Sequence, residues 1–182
     1  MAIAVFLDIP NSFIKEAIYV IENIFFPYDE KFLCINNLDE WNGYKRKIVY
    51  CSEKSPLTSY IEKNDKTLFV ILEESTINYF SNFSSYDIGN IFYESHIPCL
   101  FPYKKVMSFN RPSNILPFDI IAASFFFLSC WQEYSITERD RKCRIPLKST
   151  IQHDLRIIQT PIVNEYLKIL ERYILMCWGC EL

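Results

Sequence analysis

The residue types able to do chemistry are scattered along this chain, and their spacing limits what each can do. Cys177-Trp178-Gly179-Cys180 has the spacing of a dithiol redox motif. Such pairs work where a helix amino terminus lowers a thiol pKa. Here the pair follows a helical pattern, at the end whose dipole disfavours a thiolate. A frayed, incidental terminus is the expected reading. A zinc centre would need two further ligands, and Cys143 with His153 would complete one only without any supporting spacing. His96 and His153 are the only histidines, and neither has a second histidine at helical spacing. Glu94, Ser95 and His96 are consecutive, so on an extended chain neighbours point to opposite faces and no triad can be read from them. The same objection covers His153-Asp154. Histidines with structural partners are expected at both positions, and no metal site and no cofactor.

The charged residues offer two more candidates. Glu73-Glu74 follows an apolar run and could place carboxylates at the carboxyl end of a strand, where α/β proteins often put sites. Without a glycine loop or a base partner, a solvated turn is expected instead. Arg139, Arg141, Lys142, Arg144 and Lys148 form a basic cluster that could hold a phosphate or an acidic sugar. Glu133, Glu138 and Asp140 are interleaved with it, so mutual neutralisation is the default. Arg139, Arg141 and Arg144 are the possible ligand contacts. A clamp from Arg144 to Glu133 or Asp140 would pin this loop to the helix before it.

Bulk properties exclude several classes. The 182 residues suit one domain, and 50% hydrophobic with 16% aromatic content supplies a packed core. A net charge of −3 argues against a nucleic-acid partner. The three glycines, Gly43, Gly89 and Gly179, are too far apart to cradle a phosphate. Ala2 to Leu7 is too short for a signal-peptide core, and no apolar run reaches the ~20 residues that span a bilayer. Seven cysteines, an odd number, suggest reduced thiols and a cytoplasmic location.

These residues must be positioned by a small set of elements. Ala2 to Leu7, Lys31 to Ile35, Lys47 to Cys51 and Leu68 to Leu72 read as strands, the middle two separated by a polar turn at Asn42-Gly43. Ile14, Ala17, Ile18, Ile21, Ile24 and Phe25 repeat at helical spacing between the first two, after Asn11 or Ser12 as cap and ending near Pro27. The strand–helix–strand order predicts a right-handed βαβ unit. From Ile77 to Tyr103 no period emerges, and Ile97 to Pro102 reads as an edge strand or extended segment at best. Arg111 to Pro117 reads as a loop. An uncharged run of thirteen residues, Ile120 to Gln132, predicts a buried core helix from Asp119, its cap, to about Tyr134. A last amphipathic helix begins at Thr160-Pro161 and carries Val163, Tyr166, Leu167, Leu170, Tyr173, Ile174 and Cys177 as its stripe. The expected fold is α/β: a small mixed sheet opened by a βαβ unit, with a buried core helix and a carboxyl-terminal amphipathic helix, in a single domain over 1–182.

One segment carries a family resemblance. Pro117, Phe118, Asp119, Ala122, Ala123, Phe125, Phe126, Leu128, Ser129, Glu133 and Tyr134 match a PFDxxAAxFFxLSRxEEY pattern. Asp140, Arg144 and Pro146 match a following DxxGRFP step, then Pro161, Val163, Asn164 and Glu165 match a helix start. The segment resembles the amino-terminal accessory domain of bacterial polysaccharide-deacetylase-like proteins, with Asp119, Glu133, Tyr134, Asp140, Arg144 and Pro146 as its structural motif. Cys130, Gln132 and Cys143 depart from the pattern, which has Arg, an acidic residue and Gly there. The Asp-Asp pair and His-x-x-x-His set of a NodB-like catalytic domain are absent. The resemblance implies a non-catalytic domain, not an enzyme, that docks or orients a carbohydrate-deacetylase catalytic domain in surface-polysaccharide metabolism. The aromatic content gives a glycan-binding module as the alternative. A stand-alone hydrolase would need His96 or His153 beside a carboxylate in a pocket.

Overall fold

A computed structural model describes residues 2–25, 31–35, 40–41, 43–61, 66–82, 88–106 and 112–179. The expected helix end at Pro27, the turn residue Asn42, the loop start at Arg111, and Cys180 lie outside them. The fold is α/β. Four strands, β1 (Ala2–Asp8), β2 (Lys31–Ile35), β3 (Arg46–Ser52) and β4 (Thr67–Leu72), form an all-parallel sheet in the order β2-β1-β3-β4. Register sets Val5 beside Ile48 and Asp8 beside Cys51, and β4 continues it with Ile71 beside Cys51. Parallel strands buried on both faces read as unbroken apolar runs, which is why AIAVFL and LFVIL were legible. Antiparallel pairing occurs separately, in a hairpin of β5 (Phe92–Glu94) and β6 (Ile97–Cys99). Its two turn residues, Ser95 (φ 50°) and His96 (φ 71°), are both left-handed, the geometry that matches strand twist in a two-residue hairpin.

The sheet is covered differently on its two faces. Ile3, Val5, Leu7, Ile48, Tyr50, Leu68, Val70 and Leu72 face the main core, shared with α1 (Asn11–Phe25), the core helix α3 (Ile120–Leu128) and α5 (Ile162–Trp178). Phe6, Val49, Cys51, Phe69 and Ile71 face a smaller cluster closed by Tyr103, Ile115, Trp41, Leu57 and Ile61. Between β4 and β5 lies a short helix, α2 (Glu74–Ser81), and before α5 a single turn, α4 (Ile151–Asp154).

Three expectations are corrected. The stretch before Pro117, expected as a loop, is irregular but taken into the core: Asn114 through Phe118 are buried. The Phe69 amide donates to the Asn114 carbonyl (2.8 Å) and the Leu116 amide to the Phe69 carbonyl (2.9 Å), so the segment lies parallel beside β4. Tyr103 and Asp119 amides then bond the Pro117 and Phe101 carbonyls on its far side (2.8 and 2.9 Å). The core helix is shorter than its apolar run. It stops at Leu128, where Ser129 bonds the Phe125 carbonyl through both its amide and its hydroxyl (2.9 and 2.6 Å). Cys130 then turns left-handed (φ 52°), and Trp131–Tyr134 forms a 3₁₀ turn. The helix α5 begins at Ile162, with Pro161 at the cap position, and its carboxyl end is not frayed as far as Gly179. Gly179, left-handed, donates to the Leu175 carbonyl (2.8 Å), and the Trp178 indole donates to the Lys66 carbonyl (2.9 Å).

Candidate functional site

Polar side chains converge on the carboxyl ends of the parallel strands and the start of α3. This is where an open α/β sheet most often builds a site, at the point between β1 and β3 where strand order reverses. Asp119 is the centre of it. Fully buried, it caps α3: its Oδ1 accepts from the Ile121 amide (3.1 Å) and the Ala122 amide (2.9 Å). Its Oδ2 accepts from the Tyr50 hydroxyl on β3 (2.8 Å). Burial pushes the Asp119 carboxyl up to about 7, against the pull of the Ala122 amide, the Tyr50 hydroxyl and the Ile121 amide. Burial, with the Asp119 charge beside it, raises the Tyr50 phenol well above its ordinary value. Both groups are sealed from solvent, so this pair can lock α3 to the sheet but cannot meet a substrate.

Along the same edge, Asp8 ends β1 and accepts a hydrogen bond from the Ser55 hydroxyl, which itself caps a 3₁₀ turn by accepting from the Leu57 amide (3.0 Å). Cys51 lies beside them, buried. Loss of water, then the Asp8 charge, push its thiol up to about 12, so it holds its proton and is no nucleophile. Glu73 follows β4 and corrects the expectation of a solvated turn: it is buried at the strand–helix junction. Its Oε1 accepts from the Lys104 amide (2.7 Å) and its Oε2 from the Ser75 hydroxyl (3.0 Å). Glu74, one residue on, is exposed and pairs with Lys54 at 2.6 Å. A recess of about 250 Å³ opens beside Glu73, walled by Tyr79, Phe101, Asn90 and Lys104.

The exit loop places its charges in water. Asp140 draws in the chain around it, accepting from the Lys142 amide (2.7 Å), the Arg144 amide (3.0 Å) and the Arg144 guanidinium twice (3.0 and 2.8 Å). The Arg144 amide and guanidinium hold the Asp140 carboxyl below the usual range. Of the two carboxylates expected for Arg144, the clamp is therefore to Asp140. Arg139 donates to the Ile136 and Glu138 carbonyls, Arg141 is exposed, and Lys148 pairs with Glu138 at 3.0 Å. Glu133 and Tyr134 are exposed, Pro146 half-buried. The link from this loop to the core is uncharged. Gln132 is buried, accepts from the Ile151 amide (2.9 Å) and donates to Gln152, tying the end of α3 to α4. Cys143 is left-handed (φ 59°), at the position where the resembled pattern has glycine, the residue that adopts this backbone without cost.

The remaining candidates do not assemble. His96 stands exposed at the hairpin tip, and His153 stands exposed on α4, 3.4 Å from Asp154. Ser95 accepts from Arg172 of α5 (3.1 Å), whose guanidinium also lies 3.8 Å from Glu94. A groove of about 570 Å³ runs between this hairpin and α5, lined by Ile97, Lys168, Arg172 and Leu175, with charges of both signs. Cys177 is half-buried in the last turn of α5. No cluster of three metal-ligating side chains occurs among the described residues, and among them no helix is long and apolar enough to cross a membrane. Sequence reasoning marked Asp119 as a cap but missed Tyr50, Asp8 and the burial of Glu73. The available signal was position: each sits in or directly after a strand.

Comparison with known proteins adds a family. No curated protein and no solved structure matches the chain. The model of a family of unknown function, DUF7033, matches residues 5–179. With nearly its whole length covered, the chain belongs to the DUF7033 family of unknown function.

Proposed function

We propose that this chain acts in the cytoplasm as a non-catalytic accessory domain that docks or orients a carbohydrate-deacetylase catalytic domain in surface-polysaccharide metabolism. One observation carries the reading. The two aspartates of the segment that bears the resemblance have structural partners: Asp119 holds Tyr50 and the first amides of α3, and Asp140 holds Arg144. A segment whose charges hold its own backbone serves as a scaffold. Apolar contact area is available at its exit, where Tyr134 and Leu147 are exposed (71% and 54%). The test is biolayer interferometry of the immobilised chain against a purified polysaccharide-deacetylase catalytic domain. Saturable binding, weakened by Tyr134→Ser and Leu147→Ser, is the expected result. No binding, with no change in the deacetylase's activity on acetylated polysaccharide, overturns it.

A glycan-binding role is the second reading, favoured by the exposure of Tyr60, Tyr93 and Tyr134. Binding to polysaccharides on a glycan array, lost with these tyrosines, would replace the docking role. The array is expected to be blank, because most of the chain's phenylalanines pack in or against the core.

A further inference from the structure

We propose that a cleft between α1, α2 and the end of α3 is a binding site for an organic ammonium group. The cleft measures about 130 Å³ and is lined by Ser12, Phe13, Glu16, Phe80, Phe125 and Trp131 among others. At about 30 Å³ per water, that is room for roughly four waters, the scale of a trimethylammonium head.

Its polar feature is a carboxylate. Glu16 Oε2 is buried and has no hydrogen-bond partner among the described residues. A carboxylate oxygen taken from water is costly unless a cation or donor reaches it, so an orphaned one needs an explanation. None of the described residues lining the cleft is a lysine or arginine. A cation brought by a ligand would meet no competing positive charge from these residues.

Its apolar feature is a set of rings. Phe80, Phe125 and Trp131 meet one another at centroid distances of 5.1 Å (Phe80–Trp131), 5.7 Å (Phe80–Phe125) and 5.8 Å (Phe125–Trp131). Phe13 joins from α1, 6.2 Å from Phe80. Neighbouring planes are tilted by 49° to 74°, so the cluster turns faces as well as edges outward. Phe13, Phe125 and Trp131 line the cleft and are only half-buried, so part of each ring stays open. Aromatic faces attract cations through the ring quadrupole, most strongly where water is excluded. A neutral ligand without a hydrogen-bond donor would leave Glu16 unpaired, one with a donor would gain nothing from the ring faces as a cation does, and an anion would be repelled. An ammonium carried on carbon satisfies both features at once.

The site does not depend on the docking role, and its test involves no deacetylase. The isotope-labelled full chain is titrated with choline and followed by nuclear magnetic resonance at the Trp131 indole N–H, assigned by its loss in Trp131→Phe. A parallel titration uses the neutral isostere of choline, in which a quaternary carbon replaces the nitrogen. The expected result is a saturable shift with choline, weakened at least about tenfold in Glu16→Gln and by a similar factor for the isostere. Phe125→Leu, which keeps an apolar wall and removes a ring face, also weakens choline binding. Equal affinity for choline and its isostere overturns the proposal, as does unchanged choline binding in Glu16→Gln. The absence of any saturable shift in the wild-type chain overturns it too.

Discussion

Asp119 and Asp140 flank the same segment and each gathers three or four donors, yet one lies in the core and the other in water. Asp119 reaches across 69 residues of sequence to Tyr50 and joins the core helix to the sheet. Asp140 reaches four residues to Arg144, whose side chain is 69% exposed, and joins a loop to itself. An exposed pair of this kind is worth little because water competes for both partners. A buried, hydrogen-bonded group cannot be removed without leaving its donors unpaired. Density of charge along the sequence thus marks where the solvent is. A single carboxylate at the edge of an apolar run marks where the fold is locked.

That contrast can be broken in several ways. The largest loss should come from Asp119→Ala, which removes the helix cap and leaves the Tyr50 hydroxyl and two amides without an acceptor. About 3 kcal/mol of stability should disappear in urea unfolding. Next is a pH dependence. Asp119 titrates at about 7 when folded against 3.8 for the ordinary carboxyl, so the folded chain keeps a proton that the unfolded chain has released. Its contribution is therefore fully present below about 4, is lost as pH rises from there to about 7, and is level above. Asp119→Asn, which does not titrate, should flatten that slope in a series of unfolding curves.

Smaller effects should follow from the loop. Gln132→Ala leaves the Ile151 amide without its acceptor and should cost roughly 1–3 kcal/mol by the same measurement. Cys143→Gly relieves a left-handed side chain and should raise stability by up to about 1 kcal/mol. Asp140→Asn should leave the melting temperature within error of wild type, the smallest effect of the series. A loss as large as that of Asp119→Ala would erase the distinction between the two aspartates.

Periodicity made much of the fold legible. Unbroken apolar runs gave β1 and β4, and the spacing from Ile14 to Phe25 gave α1. The core helix was visible from composition alone, but its end was not, since neither Gly nor Pro stands at Ser129-Cys130. α2 is eight residues of mixed Ser, Thr, Asn and aromatic character, too short to show a period. The stretch Asn114–Phe118 has the proline and polar flanks of a loop, and only its pairing with Phe69 and the segment around Pro102 carries it inside. The site was the least legible part. A cap such as Asp119 has a local signal, whereas its partner Tyr50 is chosen by how β3 and α3 pack. Glu16 sits on a half-polar helix face where a glutamate is ordinary, and only the rings around it make it unusual.

The segment from Pro117 to Pro146 is held by its buried aspartate rather than by its surface charges. A double-mutant cycle with Tyr50→Phe and Asp119→Ala, read by urea unfolding, isolates that hold. The two substitutions should not be additive, with a coupling of about 1 kcal/mol or more. Strict additivity of the two losses would contradict it.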